Sequence, residues 1–195
     1  MSFEETLLNE MHSKSFNSAV YQKNFKKRPH ISKSNIDASS NAKHLKTDHS
    51  ITVLYTNELV QRYVAATQLI YDLLFSVYEL NTTSLFCARI YKPTETIEKE
   101  ILKFLKGFHR PNFEVRIIGL QNGQKYPTLS QIADLTTKYE LPVVEIDLFG
   151  KEARHIAMDA KLGMSFNILM EDRLYKPGEL INNTTVAQFE RSLKK

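Results

Sequence analysis

The stretch IIGLQNGQKYPTLSQIADL, residues 117–135, decides how this chain is read. An apolar strand runs into a polar loop, then Pro127, then a helical pattern in which Thr128 and Gln131 have the spacing of a capping box. Junctions of this kind carry the chemistry of many α/β enzymes. This loop holds no nucleophile, no metal ligand and no glycine pattern that would cradle a phosphate. Its Asn122-Gly123 pair reads as a turn, with Gly123 tolerating positive φ.

Downstream, LPVVEIDL (residues 141–148) is a nearly continuous apolar run, the mark of a strand buried on both faces. KEARHIAMDAKL (151–162) is expected to be helical and to stop at Gly163. FNILME and RLYKPGEL read as consecutive strands turning at Asp172, and TTVAQFERSLKK as a closing helix capped by Thr184 or Thr185.

Upstream, FEVRIIGL is a strand. The helix before it has Glu95 and Glu98 early, Lys103 and Lys106 late, and Gly107 as its stop, an order that complements the helix dipole. SLFCARIY (84–91) and ITVLYT (51–56) are β-rich. Between them Asn57 is expected to cap a helix reaching Leu80, with Tyr63, Ile70, Leu74 and Tyr78 among its apolar positions. At 1.5 Å per residue it would be roughly 35 Å long, more than a small domain needs. That excess assigns Tyr63, Ile70, Leu74 and Tyr78 to partner binding.

Residues 13–50 are rich in Ser, Asn and Lys with no sustained period, and are expected to be disordered. Ahead of them Phe3, Leu7, Leu8 and Met11 fall near helical spacing. Lys23, Lys26, Lys27 and Arg28 form a basic cluster, read as a nuclear-import signal or a nucleic-acid contact within residues 14–46, against the plainer reading of a solvated tail. Of the 26 basic and 22 acidic residues, 8 and 5 lie before Ile51, so the remainder is near neutral and has no bulk charge demanding a nucleic acid. Hydrophobic residues at 42% and charged residues at 25% are ordinary for a globular chain. The acidic start is unlike a signal or transit peptide, and the apolar run 59–80 is interrupted by Arg62, Gln68 and Asp72. A nuclear or cytoplasmic protein with no membrane contact is the expectation.

From Ser84 the expected order β-α-β-α-β-α-β-β-α resembles the thioredoxin-like fold. YPTLSQIADLTTKYELPVVEID and AKLGMSFNILMEDRLYKPGELINNTTVAQFERSLKK resemble that family's helix-to-central-strand segment and its final hairpin and helix. The resemblance implies an α/β three-layer sandwich over residues 84–195 with one central mixed sheet and a C-terminal antiparallel hairpin. A β-α extension over 51–83 and a basic tail over 1–50 precede it. It also implies lost activity. The redox cysteines would fall at Gly119 and Asn122, which cannot form the thiolate that attacks a disulfide, and the family's cis-proline near Ser165. Over residues 114–147 the chain is also similar to the N-terminal domain of bacterial-type translation initiation factor three, which implies an RNA- or ribosome-associated role.

Other chemistry is sparse. The single cysteine, Cys87, allows no internal disulfide, indicates a reducing compartment, and reads as a small buried hydrophobe. No metal-ligand spacing appears among the histidines. Glu145 and Asp147 stand near a strand end where α/β ligand sites lie; the plainer reading is a solvated end or an ion pair with Lys151. The expected function is therefore a non-catalytic adaptor within a hetero-oligomeric complex, without cofactor, metal or catalytic residues. The alternatives are an RNA- or ribosome-associated factor using the basic tail and, last, an atypical thiol-dependent enzyme.

Overall fold

A computed structural model describes residues 28–38, 42–47, 50–55, 61–120, 126–148 and 152–170. In chain order the elements are β1 (His30–Ser32), α1 (Lys33–Ala38), β2 (Ala42–His44), β3 (Ile51–Leu54) and β4 (Tyr63–Leu69). There follow β5 (Leu73–Glu79), β6 (Ser84–Ile90), α2 (Glu95–Leu105) and β7 (Phe113–Gly119), then α3 (Tyr126–Lys138), β8 (Val143–Leu148), β9 (Arg154–Asp159) and β10 (Met164–Leu169).

Every residue of β5 and β6 is buried, so both faces of the sheet they form must be covered. That sheet is five-stranded, in the order β3-β6-β5-β7-β8, antiparallel except where β8 runs parallel to β7. One of its faces, with Phe75, Phe86, Ile90 and Ile117, packs under Ile97, Ile101 and Phe104 of α2 and Leu129 and Ile132 of α3. Phe104 lies 5.7 Å from the Phe86 ring and 4.9 Å from Phe108, extending an aromatic cluster along the buried side of α2.

The opposite face does not meet solvent. Leu74, Leu85, Cys87 and Ile118 pack against Val64, Ala66, Ile156 and Met158 of a second five-stranded sheet, ordered β1-β10-β9-β4-β2. The outer face of this second sheet, with Ala65, Ala157, Phe166 and Ile168, is packed with Ile36 of α1. The layers thus run helices, sheet, sheet, helix, and β4 and β5 step from one sheet to the other through residues 70–72.

This corrects the expected architecture. A thioredoxin-like sandwich has one central sheet; here two sheets face each other. The helix expected over residues 57–80 is replaced, where described, by β4 and β5. Both strands are apolar on both faces, and such a run carries no period that separates a strand from a buried helix. The helix expected over 151–162 is β9 and its turn, because pairing on both edges, with β4 and β10, overrides the helix propensity of its alanines and lysines. Part of the segment expected to be disordered supplies β1, α1 and β2, with Ile31, Ile36 and Leu45 buried. The two strands gain their ladder hydrogen bonds from partners elsewhere in the chain, β1 from β10 and β2 from β4. The expected closing hairpin strand and C-terminal helix lie outside the described residues, apart from β10.

Candidate functional site

Between the two sheets the core changes character from one flank to the other. Under β5 and β6 it is apolar. Toward β7, β8 and β10 it becomes a charged seam. The alternation of β8 causes this: Ile146 turns to the helices, while Glu145 and Asp147 turn to the second sheet. A register shift between Val115 and Arg116 leaves Val144 unpaired and sets Arg116 opposite Glu145. Ser165 and Asn167 face them from β10.

Arg28, just before β1, enters this seam as its hub. Its Nε donates to Glu145 Oε1 at 2.8 Å and to Ser165 Oγ at 3.1 Å. Its Nη1 donates to Asp147 Oδ2 and to Asn167 Oδ1, both at 2.9 Å, and its Nη2 also pairs with Glu145. Arg116 Nε reaches Glu145 Oε2 at 3.1 Å, and Arg154 reaches Asp147 Oδ1 through Nη2 at 2.7 Å. The Ser165 hydroxyl donates to Glu145, 2.6 Å from Oε2. Glu114 completes the set, 3.5 Å from Arg116. Arg28, Arg116 and Arg154 are therefore matched in number by Glu114, Glu145 and Asp147.

Burial pushes the Asp147 carboxyl up, but hydrogen bonds from Arg154 and the charges of Arg28 and Arg154 outweigh it and hold the group below the usual carboxylate range. For Arg28 burial opposes the charge, and Glu145 and Asp147 more than restore it. Ser165 is hydrogen-bonded to a carboxylate whose oxygens already accept from Arg28 and Arg116. That arrangement fixes the hydroxyl; it does not supply the free base that an attacking serine requires.

Beside the seam, at the end of the sandwich where β5 finishes and β10 begins, lies a cleft of about 300 Å³. Its polar lining is Arg28, Arg116, Glu114, Glu145 and Ser165, and its apolar lining Pro29, Leu80, Leu162 and Met164. Tyr78 also lines it, its hydroxyl donating to the Lys161 carbonyl at 2.9 Å.

A second buried pair braces the other end. Arg89 Nε pairs with Asp72, while Nη1 and Nη2 donate to the carbonyls of Leu45 and Gln68, each at 3.1 Å. One guanidinium thereby ties β6 to the chain around β2 and β4. Gln68 (φ 57°), Gly119 (φ 128°) and Leu120 (φ 55°) adopt left-handed backbone around this brace. A Cβ on Gly119 would lie 2.5 Å from the Asp72 carbonyl oxygen, so glycine is required there.

The sequence-predicted residues are dispersed. Tyr63 lies under α1, Leu74 and Tyr78 lie between the sheets, and Ile70 is half-buried in the β4–β5 connection. They share no single face. Of the basic cluster, Arg28 is buried in the seam, and Lys23, Lys26 and Lys27 lie outside the described residues. Cys87 is fully buried, and burial pushes its thiol up. Glu145 and Asp147, expected at a solvated strand end or paired with Lys151, are buried and paired with arginines instead; Lys151 is outside the described residues. The legible signal was the alternation E-I-D in β8 opposite E-V-R in β7, which places opposite charges on one face. Nothing local pointed to Arg28.

Among the described residues no group of three or more His, Cys, Asp or Glu is arranged to hold a metal ion, and no helix is long and apolar enough to cross a membrane. No protein-family model matches the chain, and no curated protein matches its sequence.

Proposed function

We propose that this chain is a non-catalytic adaptor, a rigid two-sheet mount acting as a protein–protein interaction subunit of a larger nuclear or cytoplasmic assembly. The observation that carries the reading is the seam itself. Its arginines, carboxylates and serine are engaged with one another across both sheets, which locks the layers together and leaves no activated nucleophile among these seam residues.

The contact surface is best sought at the end of the first sheet opposite the cleft. Tyr71 and Tyr91 are 53% and 40% exposed, and the Leu73–Ile90 pairing brings them to the same end of the first sheet. Large exposed aromatics with a polar tip are the residues that most often anchor interfaces. An RNA- or ribosome-associated role through the basic cluster would rest on its lysines, because Arg28 is already taken.

The test is to purify the tagged full-length chain, identify a co-eluting protein, and rebuild the complex from purified components with light scattering as readout. A stoichiometric complex is expected, weakened by about 100-fold or more in a Tyr71→Glu, Tyr91→Glu double variant whose melting temperature is unchanged. If no co-eluting protein rebinds the purified chain, or if the isolated chain turns over a substrate, the adaptor reading is wrong.

A further inference from the structure

Arg116 is the unusual member of the seam. Its side chain is 8% exposed, and its Nε is well placed on Glu145 at 3.1 Å. Among the described residues its two terminal nitrogens, which carry four of its five N–H donors, both reach only Glu114 Oε2, each at 3.5 Å. Good N–H···O bonds lie at 2.7–3.2 Å, so these contacts are long and share one acceptor atom. Arg116 lines the cleft, and among the described residues its nearly buried fork has only these long contacts. Arg28 cannot play this part, because its Nε, Nη1 and Nη2 are bonded to Glu145, Ser165, Asp147 and Asn167.

We infer that this cleft binds a small amino-carboxylate, a zwitterion with an apolar side chain. A planar guanidinium edge matches a carboxylate, two parallel N–H···O bonds being the geometry it forms most readily. Glu114, whose side chain is one-third exposed beside that edge, supplies the opposite charge for an ammonium group two or three atoms away on the same ligand. Pro29, Leu80, Leu162 and Met164 cover an aliphatic or aromatic side chain. The cavity, about 300 Å³, is at the lower end of small-molecule sites and suits one amino acid. Glu114 and Glu145 both line the space and disfavour a dianion or a phosphate. The inference does not depend on the adaptor reading, since a binding module and an enzyme could each hold such a ligand.

The experiment is calorimetric titration of the full-length chain with free leucine, methionine and phenylalanine. Two controls each lack one charge: 4-methylpentanoate has no amine and isopentylamine has no carboxylate. At least one amino acid should saturate with a Kd of about 1 mM or tighter, and loss of either charge should weaken binding about tenfold. Replacing Arg116 risks unfolding, so the informative variant is Glu114→Gln, which removes the one-third-exposed carboxylate of the seam and leaves the bonds among Arg28, Arg116, Arg154, Glu145 and Asp147 in place. In that variant the preference for leucine over 4-methylpentanoate should fall to about one. Failure of all three amino acids to saturate overturns the inference. So does a Glu114→Gln chain that keeps the full preference for the amine.

Discussion

Gly163 shows how one atom can matter in this fold. It holds φ +67° in the turn between β9 and β10, and its N–H donates to the Asp159 carbonyl at 2.8 Å. A Cβ there would lie 2.2 Å from Tyr78 Cδ1. The Tyr78 ring is buried and its hydroxyl is tied to Lys161, so it cannot swing aside. Gly163→Ala should therefore cost about 2–4 kcal/mol, read as a lower urea midpoint at unchanged slope. The sequence marked Gly163 as a stop, but for a helix. A glycine announces that the backbone turns and is silent on what it turns between. Cys87 was legible as a buried hydrophobe because a lone cysteine among strand-forming residues has no other physical role nearby.

At the scale of elements, legibility followed the strength of the local pattern. The bounds of α2 were readable from amphipathic spacing and charge order, and β6, β7 and β8 from dense β-branched and aromatic runs. α3 begins at Tyr126, ahead of the expected cap: Thr128 lies inside the helix with its hydroxyl on the Tyr91 carbonyl, and Gln131 bonds the Thr94 backbone instead of closing a capping box. The β4–β5 pair was not readable as two strands. Their connection, residues 70–72, contains no Gly, Pro or Asn, and the left-handed turn residue before it is Gln68. β1 was invisible for a different reason: three residues gain structure only from β10 and from Arg28 next door. Arg28→Ala should consequently act on a whole element. Leaving Glu145 and Asp147 buried with one cation fewer should cost about 3–5 kcal/mol. Hydrogen exchange should show early loss of protection at the Asn167 amide, which donates to the Pro29 carbonyl at 2.8 Å.

For the whole molecule, the seam makes stability depend on pH in a calculable direction. Asp147 is held below its unfolded value, so its contribution is present above the ordinary carboxylate range and lost as pH falls through the lower folded value. Asp159 runs the other way: burial raises it against the pull of Arg62, and its contribution is greatest at low pH and lost as pH rises through the carboxylate range. Comparing Asp147→Asn with the parent chain isolates the first effect. The variant should be less stable at neutral pH, and the difference between the two should shrink as pH falls below about 4, measured by chemical denaturation at each pH.

The sequence by itself determined the helical character of α2 and α3, the strand character of β3, β6, β7 and β8, and the burial of Cys87, because these depend on side-chain size, polarity and local period. Only the tertiary structure decided that the strands divide into two facing sheets and that Arg28 closes a charged seam with Glu145 and Asp147 across more than a hundred residues of chain. Strand pairing and ion-pair geometry are long-range choices. A run apolar on both faces fits many registers equally well, and the choice among them falls to the mutual satisfaction of buried hydrogen bonds and charges.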